Sequence, residues 1–146
     1  RGVRSGYPFG LLFLDVDYFK KVNDTLGHSG GDAVLKEFAL RLKASVRTSD
    51  SVFRLAGDEF TVILENVKTS VDVELVARKI VEVIRSPFTV DGQPFRITTS
   101  IGAVYSQPAR ATQPEMLDRI ADEALYEAKG SGRDNYFIRT INHRET

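Results

Sequence analysis

The chain has 146 residues, 42% of them hydrophobic and 27% charged, which suits one soluble domain with a sizeable core. Its 20 Lys and Arg balance 20 Asp and Glu, so no global basic field points to nucleic acid, and the absence of Cys excludes disulfides and thiolate metal sites. No apolar run reaches transmembrane length and no signal peptide is visible. The expectation is a cytoplasmic domain making no membrane contact of its own, whether or not its parent protein is anchored.

The opening RGVRSGYP reads as a cut inside a longer protein. Leu11 to Val16 (LLFLDV) is a short continuous apolar run, as in a central strand buried on both faces. Asp17 to Asp24 reads as a short helix ending towards Leu26-Gly27, and Gly30-Gly31 punctuate a loop. Asp32 is placed to cap the next helix, on which Val34, Leu35, Phe38, Leu42 and Val46 share a face. Ser51–Leu55 and Phe60–Glu65 form a hairpin turning through Ala56 to Glu59.

A second amphipathic helix covers Val71 to Ile84 and stops before Pro87. Thr89 to Gly92 and Phe95 to Tyr105 read as a second hairpin about an Asp-Gly turn. Glu115 to Lys129 is a third helix, stopped by Gly130 and Gly132, and Tyr136 to Arg139 a last edge strand. Hairpins demand antiparallel pairs, so the fold class is α/β, with helices packed on a mixed, mainly antiparallel sheet.

Within this frame the acids stand out. Asp15 ends the central strand, where an ionised carboxylate is costly unless it is paired, hydrogen-bonded or bound to metal. The structural alternative is a partly solvated strand-end acid, or one paired with Lys20 or Arg54. If the first hairpin flanks the first strand, however, Asp58 and Glu59 at its tip lie beside Asp15. Carboxylates converging without histidine or thiolate make an all-oxygen site suited to Mg²⁺ or Mn²⁺, ions that commonly act on phosphates. Gly57, without a Cβ, lets a ligand approach the backbone there.

Four segments in order, LDVDYFKKVNDTLGHSGGD, RTSDSVFRLAGDEF, SIGAV and ADEALYEAKGSGRD, resemble the signature of the GGDEF family, the diguanylate cyclases. The likeness runs from about Leu11 to Asp134. It implies a palm-like, mainly antiparallel sheet surrounded by helices and related to class III nucleotide cyclases. It also implies a reaction joining two GTP molecules into cyclic di-GMP with release of two pyrophosphates. That chemistry needs a homodimer, because one domain offers one GTP site and the product needs two.

Residue by residue, the resemblance assigns Mg²⁺ to Asp15, the Val16 carbonyl and Asp58. Asp58 is also the family's candidate base for the 3′-hydroxyl, with Glu59 assisting the metal. Asn23 and Asp32 match the pair that reads guanine, a role their donors and acceptors can fill; taken singly they would read as a helix-end residue and an N-cap. Lys20 matches a transition-state stabiliser, and Lys129 and Arg133 match the grip on the β- and γ-phosphates. Taken singly, Lys129 is a favourable helix C-terminal cation and Arg133 plain surface. His28 falls within the nucleotide-site segment, where a loop-ordering role suits it better than metal ligation; the other histidine, His143, lies near the tail. Tyr18, Phe19 and the aromatics on the strands read as core or packing residues.

Arg47 and Asp50 (RTSD) stand where the family places its RxxD product-inhibition site, with Arg78 on the following helix as a further contributor. Two departures stand out. Ala56 replaces the first glycine of the signature, and the segment that usually opens the family is absent, which makes this a single domain, 1–146, truncated at its N-terminus. An upstream sensory domain is the expected partner. The competing reading is a catalytically silent module that binds GTP or cyclic di-GMP and controls a partner such as an EAL phosphodiesterase.

Overall fold

The computed structural model describes residues 7–107 and 114–141. A five-stranded sheet is built from β1 (Phe9–Val16), β2 (Ser51–Ala56), β3 (Glu59–Leu64), β6 (Thr99–Ser106) and β7 (Tyr136–Ile141), in the order β2-β3-β1-β6-β7. β1 is central and antiparallel to both neighbours, and β7 alone runs parallel, beside β6. β4 (Phe88–Val90) and β5 (Gln93–Phe95) form a separate two-stranded sheet.

Among the described residues three helices cover the sheet: α1 (Phe19–Ala44), α2 (Ser70–Ile84) and α3 (Pro114–Gly130). The alternation along β1 explains the layers. Leu12, Leu14 and Val16 join the larger core with Val34, Phe38 and Leu42 of α1 and Val73, Ala77 and Ile80 of α2. Leu11 faces the other way, into a smaller core with Val104, Leu117 and Ala121, and Phe9 and Phe13 pack against it. A strand clothed on both faces needs apolar residues at nearly every position, which is why LLFLDV shows no alternation.

The structure corrects the expected break before Asp32. α1 is a single element kinked at Gly27 (φ 75°, ψ 172°), so the left-handed turn comes three residues before Gly30. Gly30 and Gly31 are helical and buried, and Asp32 and His28 lie on the helix, neither in a loop. The glycines serve packing. A Cβ on Gly30 would come within 2.5 Å of Leu26 Cβ, and one on Gly31 within 1.8 Å of Asn23 Oδ1, so a side chain at either position would force a neighbour across the kink to move.

The expected second hairpin also divides. The Asp91-Gly92 turn is present, with positive φ at both residues, but it closes only β4 and β5. The chain leaves that pairing at residues 96–98 before β6 joins the main sheet. α2 begins with a capping box, Thr69 accepting from the Val71 N–H and Asp72 accepting from the Lys68 and Thr69 N–H groups. Its last turn has no cation of its own; Arg41 of α1 reaches across to donate to the carbonyls of Val83, Ser86 and Pro87 and stacks 3.8 Å above Phe88. No helix among the described residues is long and apolar enough to cross a membrane.

Candidate active site

The β1–β3 register places Asp15 directly opposite Glu59, with Asp58 in the adjoining turn. Directly opposed residues project to the same sheet face, so the Asp15 and Glu59 carboxylates share a side, the one on which α3 packs. The turn is shaped by Gly57, whose φ of 53° favours glycine, and by Arg54 Nε donating to the Gly57 carbonyl at 2.7 Å. Ala56 is different: it ends β2, is exposed, and is not among the described residues with positive φ. A methyl costs little in that conformation.

Asp15 is 6% exposed. Its backbone carbonyl accepts from Thr99 Oγ1 at 2.6 Å, and its Oδ2 lies 2.5 Å from Lys129 Nζ. The structural alternatives for its partner are thus replaced: Lys129, near the end of α3, pairs with Asp15, and neither Lys20 nor Arg54 does. Asp15 Oδ1 is buried with no hydrogen-bond partner. Burial pushes the carboxyl above its ordinary range, the Lys129 ammonium pulls it back, and the negative charges of Asp58 and Asp17 push it up again.

A buried, orphaned carboxylate oxygen beside a second acid fits a hard divalent cation. No cluster of three or more His, Asp or Glu side chains gathers among the described residues. The expected set is leaner, two carboxylates and the Val16 carbonyl, so phosphate and water oxygens would have to complete the shell.

The other expected residues fall on separate elements. Lys20 lies exposed on the first turn of α1. Asn23 is half-buried against Gly31, and Gly31 adjoins the exposed Asp32, so the kink in α1 brings together the two residues expected to read guanine. Arg133 stacks 4.6 Å over the ring of Tyr18. Tyr18 is therefore no core residue; it is 62% exposed and left-handed (φ 55°). His143 lies outside the described residues.

Around the RxxD segment, both oxygens of Asp50 accept backbone N–H groups, from Arg47 and Glu65, each at 2.9 Å. Arg47 and Asp50 border a cavity of about 280 Å³ walled by Leu64, Val67 and Leu75. Lys79 lines that cavity and Arg78 does not; Arg78 lies 3.7 Å from Glu74.

One participant went unread in the sequence. Asp17, 4% exposed, accepts from Thr98 Oγ1 (2.6 Å), Ser100 Oγ (2.7 Å) and the Asp134 N–H (3.1 Å). The available signal was its spacing of two from Asp15, which puts both acids on one side of an extended chain.

A mainly antiparallel palm with paired acids at the end of its central strand defines the class, and the family comparison agrees. The model of the diguanylate cyclase GGDEF domain matches residues 1–135, and the chain belongs to that family. Response regulator PleD of Caulobacter vibrioides is 42% identical over 136 residues, spanning 92% of this chain but 30% of PleD. An EAL/GGDEF domain protein from M. capsulatus superposes with a TM-score of 0.84 at 43% identity, covering 94% of this chain and 88% of that one. The GGDEF domain of DgcB from Caulobacter crescentus, solved in complex with c-di-GMP, superposes with a TM-score of 0.81 at 30% identity, covering 91% of this chain and 78% of that one.

Proposed function

We propose that this domain condenses two GTP molecules into cyclic di-GMP and two pyrophosphates, acting as a pair of domains that each hold one GTP. The observation that carries the reading is the orphaned oxygen of buried Asp15, cross-strand from Glu59 and within the field of Asp58. Asp15, Asp58 and the Val16 carbonyl are the groups that would hold Mg²⁺ or Mn²⁺, which when bound neutralises triphosphate charge and polarises the α-phosphate.

The chain's own side chains do the rest. Asn23 and Asp32 hold the guanine edge by hydrogen bonds. Lys129 and Arg133 grip the β- and γ-phosphates, and Lys20 balances charge on the transferring phosphoryl group. The 3′-oxygen of one GTP bonds the α-phosphorus of the other as the bond from that phosphorus to the bridging oxygen of pyrophosphate breaks. Asp58 accepts the 3′-hydroxyl proton, with Glu59 beside it. Repeating the step with the roles exchanged closes the ring.

Feedback is part of the reading. Arg47 and Asp50 flank an open cavity, and each Asp50 oxygen keeps a lone pair beyond its backbone bond, so cyclic di-GMP can bind there through its guanines. The chain spans under a third of PleD, so control by a sensory domain upstream belongs to the proposal as well.

The test is to incubate the dimerised protein, Asp15→Ala and Asp58→Ala with GTP and Mg²⁺ and to separate the products by chromatography. Cyclic di-GMP is expected from the parent and at least about 100-fold less from either variant. Undiminished turnover in the variants removes the metal assignment. No product from the parent, with GTP or cyclic di-GMP still bound, leaves the silent regulatory module.

A further inference from the structure

Three consecutive left-handed residues follow α3: Gly132 (φ 105°), Arg133 (φ 61°) and Asp134 (φ 54°). The first is explained locally. Arg133 N–H bonds the Ala128 carbonyl and Gly132 N–H bonds that of Lys129, the paired bonds of a Schellman cap with glycine at the position that needs positive φ. The next two have side chains, and left-handed backbone costs such residues about 1 kcal/mol or more each. Strain of that kind persists only where surrounding contacts over-determine it.

The contacts are on view. Asp134 N–H donates to Asp17 Oδ2, and Arg85 holds the Asp134 carboxylate at 2.9 Å and its carbonyl at 3.3 Å. Asp17 is itself fixed by Thr98 and Ser100 ahead of and within β6, and its own N–H bonds the Thr98 carbonyl at 2.9 Å. Its carboxylate accepts from two hydroxyls and one backbone N–H, and among the described residues it forms no ion pair with a cation. The chain next to Asp17 is Tyr18, also left-handed, and Arg133 lies over its ring. One buried carboxylate therefore fixes both the loop that bears Arg133 and the junction that bears the surface on which Arg133 rests.

We propose that Asp17 is a positioning residue for triphosphate binding: through the Asp134 N–H it holds the loop after α3 in its left-handed form and so aims Arg133 at the β- and γ-phosphates. This rests on Arg133 gripping those phosphates, as set out above. Asp17 does not touch the nucleotide. An asparagine in its place keeps one acceptor but cannot serve three donors with full charge.

The experiment is calorimetric titration of GTP and GMP, each with Mg²⁺, into the parent chain, Asp17→Asn, Arg133→Ala and the double variant. Arg133→Ala alone tests the phosphate grip: it should weaken GTP about tenfold or more and leave GMP, which lacks the β- and γ-phosphates, unchanged. Asp17→Asn should also weaken GTP about tenfold with GMP unchanged, and the double variant should bind GTP no more weakly than Arg133→Ala. Equal losses for GTP and GMP, additive losses in the double variant, or no loss in a folded Asp17→Asn would each overturn the inference. If Arg133→Ala leaves GTP binding intact, the phosphate-grip reading falls first and Asp17 loses its purpose with it. Should Asp17→Asn not fold, Thr98→Val withdraws one donor from the shared Oδ2; a loss of about threefold confined to GTP supports the inference, and none refutes it.

Discussion

Asn23 Oδ1 occupies the space that a side chain on Gly31 would need: the two positions lie on opposite halves of kinked α1, and a Cβ at residue 31 would stand 1.8 Å from that oxygen. Gly31→Ala can fold only by turning the Asn23 amide away, since that amide is the movable partner. Helix propensity gains up to about 1 kcal/mol from the change, so global stability should alter little. GTP affinity should fall about tenfold, the scale of one base-edge hydrogen-bond pair, with reduced preference over ATP. Titrating both nucleotides checks this, and an unchanged preference would remove Asn23 from guanine recognition.

Ala56 should be close to neutral for turnover. It sits exposed at the end of β2 without positive φ, so the conformational freedom of glycine is not being used there. Ala56→Gly is expected to leave the rate of cyclic di-GMP formation within about twofold while lowering stability by about 0.5–1 kcal/mol, the entropic cost of glycine in a strand. A rise of tenfold or more in rate would show that the methyl obstructs the nucleotide.

Gly102 of β6 is where α3 meets the sheet. A Cβ there would lie 2.2 Å from the Leu125 nitrogen and 2.3 Å from the Ala121 carbonyl oxygen, both backbone atoms that cannot rotate aside. Gly102→Ala should cost about 3 kcal/mol and lower the thermal midpoint by about 5–10 °C. Because α3 carries Lys129, the variant should also lose GTP affinity while folded. A midpoint within a degree of the parent would mean that the helix shifts without cost.

The capping box of α2 gives a pH dependence of definite sign. Backbone N–H bonds from Lys68 and then Thr69 hold the Asp72 carboxyl below its ordinary value of 3.8. A depressed carboxylate contributes stability that is whole above the unfolded value and disappears as pH falls through the lower folded value. Asp72 is open to solvent, so the effect stays near the usual size of a cap, under about 1 kcal/mol. In urea titrations Asp72→Ala should be less stable than the parent at neutral pH, and the gap should close progressively below pH 3.8. A constant gap down to pH 2 would exclude the carboxylate as its source.

Much of this protein was legible before any coordinates. Periodicity located the strands of the main sheet, α2 and α3 within a few residues, because burial on one or two faces writes itself into apolar spacing; α1, expected as two helices parted by a loop, is one kinked element. The meeting of Asp15 with the AGDEF turn was legible as a condition, that the hairpin flank the first strand, and the antiparallel pairing of β3 with β1 meets it. The glycine pair at 30–31 misled, because glycine marks both turns and close packing, and spacing alone does not separate them.

What the amino-acid order settled by itself was local or periodic: the elements, the layers and the acids at one end of the sheet. What only the tertiary structure decided were pairings across long stretches of chain. Lys129 neutralises Asp15, Arg41 closes the end of α2, and Asp17 holds a loop 117 residues further on. Such contacts leave no periodic trace. They depend on which side chains come within about 3 Å once the sheet has closed, and a one-dimensional pattern fixes faces and registers without fixing those distances.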